Sequence, residues 1–202
     1  VYYRIKTRKS VLIEGGYIVG KTRFLTLFKP NNLQPVWVES LFNIHVMLAS
    51  ILQELNYDTK IDFRNSPGYL TLICSMTNLL LIIDEANDLD KRSWPYLKRI
   101  IDAGVPIIFA GLPKVRTFLK SGHPDILSRL KVLLLYPIEL EDFILQYKND
   151  FESEAVEQIY ASVKGDMRKF KEYCAECKQK AKELKYPFVD VNLVLSFLAE
   201  QP

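Results

Sequence analysis

Five short apolar runs recur along the first two thirds of the chain, and each is almost unbroken rather than alternating. They are SVLIEG from residue 10, PVWVES from 35, LLLIID from 79, VPIIFAG from 105 and KVLLLYP from 131. Strands of a parallel sheet are covered on both faces, so they carry continuous apolar residues. The pattern therefore predicts five buried parallel strands.

Helical periodicity fills the space between the apolar runs and then takes over. Amphipathic segments at 40–55 and 91–104 separate strands, which is typical of a doubly wound α/β fold. Beyond residue 137 the strand pattern ends, and the segments at 140–150, 152–165, 166–184 and 190–201 all have a helical period. We predict an α/β domain over residues 1–137 and a small helical lid over 138–202.

Composition fits a soluble protein with a sizeable core. Apolar residues make up 49% of the 202 residues and charged residues 25%. The apolar run at 79–83 ends at a carboxylate, far short of the ~20 residues that cross a bilayer. The N-terminal segment passes from basic residues into a strand without a cleavage signal. These features predict a cytoplasmic protein that has no membrane partner.

Three cysteines are too few for a disulfide framework. Cys174 and Cys177 form a C-x-x-C pair, but they lie within a helical pattern and share one face of it. Zinc would need two further ligands nearby, and the histidines, His45 and His123, are distant in sequence. We expect a structural role for the cysteine pair.

Charge is unevenly distributed, although the net charge is only +3. The first ten residues carry Arg4, Lys6, Arg8 and Lys9 and no acid. Residues 164–185 set eight basic side chains against four acidic ones, with Lys169, Lys171 and Lys178 among the basic ones. Both segments are interpreted equally well as nucleic-acid contacts or as solvated surface.

A glycine-rich stretch follows the first predicted strand. Residues 15–22, GGYIVGKT, match the phosphate-loop pattern G-x-x-x-x-G-K-[ST]. Glycines let backbone N–H groups converge on an anion, and a helix beginning near Lys21 adds its positive end. Lys21 is expected to reach the β- and γ-phosphates and Thr22 to place its hydroxyl on Mg²⁺. The alternative is a plain strand-to-helix turn. The residues predicted to bind nucleotide here are Gly15, Gly16, Tyr17, Ile18, Val19, Gly20, Lys21, Thr22 and Arg23.

A second motif ends the third apolar run. In LLLIIDEAND, Asp84 follows the strand, where it would help to hold Mg²⁺ beside the loop. Glu85 would polarise the attacking water, since a carboxylate can accept its proton. A phosphate loop together with an acidic pair at a strand end predicts an ATPase site.

These residues give the chain a family resemblance. The phosphate loop, the acidic pair and the helical lid resemble the AAA+ ATPases, and the resemblance covers nearly the whole chain. Shorter matches, GVPIIFAGLPKV, DILSRL and GDMRKF, look most like the ATPase regulators of DNA transposition, such as the partner of phage Mu transposase.

The resemblance implies a set of roles. Arg129 in DILSRL looks like the arginine finger that reaches the ATP of a neighbouring subunit, and Arg168 in GDMRKF looks like the second sensor. A catalytic set of Glu85, Lys21 and Arg129 follows, with ATP and Mg²⁺ as cofactors. The partners implied are a homo-oligomer, double-stranded DNA and a transposase or another DNA-processing protein.

Two positions depart from the family pattern. Leu112 follows the fourth strand where a polar first sensor is expected, which predicts slow hydrolysis or a substitute residue. Tyr17 and Ile18 are bulky for a phosphate loop, and Tyr17 would pack over the nucleotide or against the lid. A helicase loader or replication initiator would share every site named here. A signalling or defence module that uses ATP only to set its conformation is a further alternative.

Overall fold

The five apolar runs form one parallel sheet. The computed structural model describes residues 1–30, 32–38, 43–59, 63–137 and 139–201. Each neighbouring pair of strands is parallel, and their order is β2-β3-β4-β1-β5. The predicted five-stranded parallel sheet is thus confirmed. The strands are β1 Val11–Glu14, β2 Gln34–Val38, β3 Leu79–Ile83, β4 Ile107–Gly111 and β5 Lys131–Leu134.

Helices connect the strands and make up most of the chain after β5. Those that precede β5 are α1 Tyr2–Lys6, α2 Lys21–Leu27, α3 Ile44–Glu54, α4 Ser66–Ser75, α5 Trp94–Asp102, α6 Pro113–Gly122 and α7 Pro124–Leu127. Those that follow it are α8 Leu140–Tyr147, α9 Ser153–Ser162, α10 Met167–Glu183 and α11 Val191–Ala199. Within the described ranges, no helix is both long and apolar enough to span a membrane.

Some sequence predictions fall on positions that the structure does not describe. These are the start of the helix predicted at 40–55, the end of the apolar run at 35–40, and residues 138 and 202 at the limits of the predicted lid. The described part of the first helix is α3, which begins after the cap residue Asn43, whose side chain accepts a hydrogen bond from the backbone of His45.

Both faces of the sheet are covered, which explains the unbroken apolar runs. Along β3, Leu79, Leu81 and Ile83 belong to one core, while Leu80 and Ile82 belong to the other. The first core includes residues of α3, α5 and α6, and the second includes residues of α1 and α2. Because successive side chains of a strand point to opposite faces, burial on both faces requires apolar residues at every position.

The strand order decides which loops meet. In a parallel sheet all the strands end at the same edge, here named the carboxyl edge, and begin at the opposite one, the amino edge. β4 lies between β1 and β3 and pairs with both. The loops after β1, β4 and β3 are therefore neighbours, in that order, at the carboxyl edge.

The chain divides into two compact units, Val1–Leu135 and Tyr136–Pro202. The second unit consists of α8 to α11, together with a single parallel bridge between Phe151 and Val189. Aromatic rings fill its core, where the centroids of Phe143 and Phe170 are 4.5 Å apart.

The two cysteines of the C-x-x-C pair lie in this second core. Cys174 and Cys177 are both buried on α10. Burial raises the pKa of the Cys174 thiol to about 12 and that of the Cys177 thiol to about 11. Both are therefore protonated at neutral pH and pack as small apolar side chains.

Candidate functional site

The glycine-rich loop connects β1 to α2 at the carboxyl edge. Gly15 has no room for a side chain, because a Cβ there would lie 2.6 Å from Cγ2 of Val19 and 2.9 Å from the carbonyl oxygen of Leu135. Its N–H donates to the carbonyl of Gly111 at the end of β4, at 3.2 Å. Gly20 has φ of 89°, in the left-handed region that glycine adopts without strain. Two of the glycines are thus required by the backbone itself.

Lys21 is the first residue of α2 and is only 6% exposed. Its Nζ donates to the carbonyl oxygens of Gly15 at 3.0 Å and Gly16 at 2.6 Å, so the ammonium group lies against the loop. The N–H groups of Lys21, Thr22 and Arg23 donate to no other described residue, as expected for the first turn of a helix. An ammonium group and a set of free N–H donors together can bind an anion.

Thr22 and Asp84 meet across the end of β4. The Thr22 hydroxyl donates to Oδ2 of Asp84 at 2.6 Å, although the residues are 62 positions apart in the chain. Oδ1 of Asp84 accepts a hydrogen bond from the N–H of Glu85 at 2.9 Å. A hydroxyl and a carboxylate are the oxygen ligands that Mg²⁺ prefers, so these residues fit the ion that the sequence implies.

Two residues near the loop have an unusual backbone. Ile18 has φ of 67° and Glu85 has φ of 49°, both in the left-handed region that non-glycine residues avoid. Such conformations cost about 1–3 kcal/mol each and persist only where the surrounding structure imposes them. Glu85 is exposed directly after β3, where its carboxylate is open to solvent.

The bulky loop residues point outward. Tyr17 is 75% exposed and Ile18 48% exposed, so neither side chain belongs to a hydrophobic core. The role of Tyr17, packing over the nucleotide or against the lid, stays a prediction.

The turn after β3 brings a polar group, which the sequence did not predict, to the end of β4. Leu112 follows the strand, but its N–H donates to Oδ1 of Asn87 at 3.3 Å. Asn87 lies in the turn after Glu85, and its Oδ1 is 3.5 Å from where a Cβ of Gly111 would lie. The peptide group between Gly111 and Leu112 thus makes two hydrogen bonds. Its carbonyl accepts from the N–H of Gly15, and its N–H donates to Asn87. In the sequence, the feature that could have identified Asn87 is its polar side chain two positions beyond the acidic pair.

Arg129 lies at the other edge of the sheet. It precedes β5 by two residues, so it is at the amino edge, and the ~13 Å length of a four-residue strand separates that edge from the loop. Its Nε donates to Asp102, and its NH1 donates to the carbonyl of Asp125 at 2.5 Å. Asp102 also binds Lys98 at 2.7 Å. Within one chain, the structure does not bring Arg129 to the phosphate loop.

These contacts change the acidity of Asp102. Hydrogen bonds from Lys98 and then from Arg129 hold the pKa of the Asp102 carboxyl below its usual range. The carboxylate therefore remains charged and keeps the Arg129 guanidinium in a fixed position.

Arg168 belongs to the second unit. It is exposed near the start of α10, where the side chain of Asp166 caps the helix by accepting from the N–H groups of Arg168 and Lys169. Lys169 and Lys171 are exposed as well. By contrast, Lys178 is ion-paired with Asp150 at 2.5 Å and lies 5.8 Å from the ring centroid of Tyr147.

Comparison with known proteins identifies structures of similar fold, but it does not assign the chain to a protein family. No protein-family model matches the chain, and no curated protein sequence matches it. The ORC2 protein of Aeropyrum pernix, in ADPNP-ADP complexes, matches with a TM-score of 0.68 and 15% identity over 98% of this chain. The ORC1 protein of the same organism, in complex with DNA, matches with a TM-score of 0.64 and 15% identity over 95% of this chain. The RuvB Holliday junction branch migration motor of Thermotoga maritima matches with a TM-score of 0.59 and 15% identity over 98% of this chain.

The similarity to these three structures agrees with the strand order of the sheet and with the glycine-rich loop after β1. The fold is that of an α/β P-loop NTPase, with a five-stranded parallel sheet flanked by helices. The chain spans 64% of the ORC2 protein, 59% of the ORC1 protein and 65% of RuvB. None of the three is a transposition regulator.

Proposed function

We propose that this protein is an ATPase that binds ATP and Mg²⁺ in the loop after β1. The observation that carries the proposal is the hydrogen bond between the Thr22 hydroxyl and the Asp84 carboxylate, which brings together two oxygen groups of the kind that Mg²⁺ prefers, directly after Lys21 in the chain. Nucleotide binding is further supported by the ORC2 structure, whose complexes contain ADPNP and ADP.

Each residue has a distinct proposed role. Lys21 and the first N–H groups of α2 bind phosphate oxygens, while Thr22 and Asp84 hold Mg²⁺. When bound, Mg²⁺ neutralises charge on the phosphate oxygens. Glu85 accepts a proton from the attacking water. Asn87 takes the place of the missing polar first sensor, because its amide is held at the end of β4.

Calorimetry with ATP in the presence and absence of Mg²⁺ tests this assignment. We expect Mg²⁺ to strengthen ATP binding to the parent chain. In Asp84→Asn, Mg²⁺ should strengthen ATP binding only weakly, because the variant keeps the shape of the side chain but loses its charge. Steady-state phosphate release gives the turnover. A parent chain that binds no ATP would contradict the proposal.

Arg129 and Arg168 are proposed to act after binding. The position of Arg129 at the amino edge supports action on the nucleotide of a neighbouring copy, where a fixed guanidinium offsets phosphoryl charge. Arg168 is proposed to sense the nucleotide from the helical unit. Arg129→Ala mixed with Lys21→Ala should regain turnover, since some interfaces then pair an intact Lys21 with an intact Arg129. No rescue at any ratio would argue against action between copies.

The cellular role we favour is a DNA-associated switch of the replication-initiator or helicase-loader type. The likeness to the ORC proteins, one of them in complex with DNA, supports this role over the regulation of a transposase. The transposition role rests on the short sequence matches alone. Lys169 and Lys171 are candidate phosphate contacts, because both are exposed on α10.

Fluorescence anisotropy with duplex DNA across a salt series separates these alternatives. DNA association predicts affinity that requires ATP and falls steeply with salt, and it predicts a smaller salt slope for Lys169→Glu with Lys171→Glu. Equal binding with ATP and ADP, or none with either, would favour the signalling alternative. ATP-dependent capture of a transposase would instead favour the transposition role.

A further inference from the structure

A cavity of about 230 Å³ lies at the carboxyl edge, between the turn after β3 and the first turns of α6. Its buried lining residues belong to the core that includes α3, α5 and α6, whereas Leu25 of α2 belongs to the core on the other face of the sheet. None of its described lining residues belongs to the phosphate loop. Its apolar lining residues are Ala86, Leu89, Trp94, Val115 and Phe118.

The apolar floor of the cavity is held firmly by the core. Trp94 is 2% exposed, and its ring stacks on that of Phe109 with the centroids 5.3 Å apart. The half-buried ring of Phe118 lies 6.1 Å from that of Trp94. Covering such a floor removes apolar surface from water, which is favourable. Because pockets for whole small molecules usually measure about 300–1,000 Å³, this smaller cavity suits a single apolar side chain.

Two lysines complete the lining. Lys91 and Lys114 are both exposed at the cavity. Nζ of Lys91 lies 5.8 Å from the centroid of the Phe118 ring, which places a positive charge directly beside the apolar floor. Within the described part of the chain, neither lysine forms an ion pair. Both charges are therefore available to a partner.

The neighbouring acidic residues do not balance these lysines. The carboxylate of Asp88 accepts a hydrogen bond from the Asn87 amide at 2.8 Å, and that of Asp90 accepts from the N–H of Arg92 at 2.9 Å. Neither carboxylate lines the cavity. Helix α6 has no acidic residue, so its charged side chains are all positive. An apolar floor beside unbalanced positive charge complements a ligand that is both apolar and acidic.

We infer that this cavity is the docking site for an acidic segment of a partner protein. One apolar side chain of the segment packs against Trp94 and Phe118, and flanking carboxylates pair with Lys91 and Lys114. Burial of the apolar side chain supplies most of the affinity, while the ion pairs at the rim set orientation and specificity. A protein segment fits better than a duplex, because backbone phosphates would pair with the lysines and leave the apolar floor uncovered.

The docking site shares one residue with the proposed nucleotide site. Asn87 lines the cavity, and its Oδ1 accepts the N–H of Leu112 at the end of β4. An occupant that contacts Asn87 is thereby linked to the bound nucleotide, and its affinity differs between the ATP-bound and ADP-bound chain. This linkage rests on the proposed function, whereas the docking itself does not.

The test variant combines Lys91→Glu and Lys114→Glu, which reverse the charge at the cavity and leave its apolar floor intact. The matched control combines Arg92→Glu and Lys120→Glu. It makes the same change of charge at exposed positions that do not line the cavity. None of these four residues is assigned to nucleotide or Mg²⁺ binding, so both variants should keep the ATP affinity of the parent.

The probe is a set of fluorescein-labelled peptides in which one leucine, phenylalanine or tryptophan lies between glutamates, together with a peptide that has alanine at the centre. Fluorescence anisotropy without nucleotide measures docking alone. We expect saturable binding that requires the apolar residue, and affinity about tenfold weaker in the test variant than in the control. The affinity of the parent should differ by about fivefold between ADPNP and ADP.

The docking site would be overturned by any of three results. These are no saturable binding of any peptide, equal affinity in the test variant and the control, and equal affinity for the alanine-centred peptide, which would show attraction by charge alone. Displacement of the peptide by duplex DNA, with DNA binding weakened only in the test variant, would make the cavity a nucleic-acid contact instead.

The linkage has its own test. Equal peptide affinity with ADPNP and with ADP, in a chain that binds both nucleotides, would overturn it. A parent chain that binds the peptides but neither nucleotide would instead show that the proposed function has failed.

Discussion

The two edges of the sheet differ in almost every chemical respect. The carboxyl edge has glycines, free N–H groups and carboxylates, with Lys21 as a buried cation against the loop. The amino edge has a single carboxylate that is already paired and, around one basic cavity, five exposed or half-exposed cations, namely Arg4, Arg8, Lys9, Arg129 and Lys131. The first edge is suited to a metal-bound anion, and the second to an anion that needs only positive charge.

The contrast shows how a parallel sheet separates functions. Because all the strands run the same way, groups at strand ends gather at one edge and groups at strand starts gather at the other. A single chain can therefore carry two chemically different surfaces at opposite edges of its sheet. The following predictions test each edge, from the largest expected effect to the smallest.

Glu85→Gln should have the largest effect, and only on turnover. The amide keeps the shape of the carboxylate but cannot accept a proton from water, and a general base contributes about 10²–10⁴-fold to a rate. We expect that loss in kcat with the ATP affinity unchanged. Phosphate release under saturating ATP measures it, with calorimetry as the binding control. Unchanged phosphate release would remove Glu85 from the chemistry.

Lys21→Ala should weaken nucleotide binding by roughly a hundredfold, since hydrogen bonds to charged groups contribute about 1.5–3 kcal/mol each. The variant also loses the contacts of Nζ with Gly15 and Gly16, so the loop becomes less ordered. Titration of ATP into the folded variant checks the prediction. Lys114→Ala, an exposed lysine of α6, serves as the charge-matched control. Equal affinity in Lys21→Ala and in the control would show that the nucleotide binds elsewhere.

Gly15→Ala should destabilise the first unit by about 1–3 kcal/mol, the usual cost of overpacking. The new Cβ would lie 2.9 Å from a backbone carbonyl, which moves less easily than a side chain. Gly16→Ala is the matched control for stability, because the nearest atom there is 4.0 Å away. Thermal melts of the two variants should differ clearly. Equal melting temperatures would show that the loop can shift to admit a side chain.

Asp102→Asn should have the smallest effect and a specific pH dependence. The folded-state pKa of Asp102 lies below its ordinary value, so its stabilising contribution is present above that ordinary value and is lost as the pH falls through the folded pKa. Asparagine does not titrate and should lack this acid-dependent component. Urea melts of the parent and the variant between pH 3 and 6 should converge at the acid end. A constant difference at every pH would mean that the pairing with Lys98 and Arg129 contributes nothing.

Much of the carboxyl edge was predictable because its signals are local. The glycine spacing, Lys21 and Thr22 are adjacent in the chain, and the apolar run before Asp84 marks a strand end. Since parallel strands end at one edge, the approach of Asp84 to Thr22 followed from the fold class. The short helix α1 and the helix α4 were not located, because YYRIK is too short for a period and SPGYLTLICS contains proline and glycine.

The position of Asn87 and the basic cavity were beyond the reach of sequence patterns. Asn87 reaches the end of β4 only because the turn after Glu85 folds over Gly111, which is a contact between different segments. Arg4 and Lys9 lie far from Lys131 in the sequence, and the parallel order that places β1 beside β5 brings them together.

The sequence by itself determined the strands, the phosphate loop and the acidic pair, because each depends on residue type and on spacing within a short segment. Only the tertiary structure decided that Asn87 accepts a hydrogen bond from the N–H of Leu112 and that Arg129 lies at the opposite edge among other cations. The physical reason is the same in each case. Backbone conformation follows from neighbours in the chain, whereas electrostatic and hydrogen-bonding partners are chosen by packing between segments that the sequence leaves far apart.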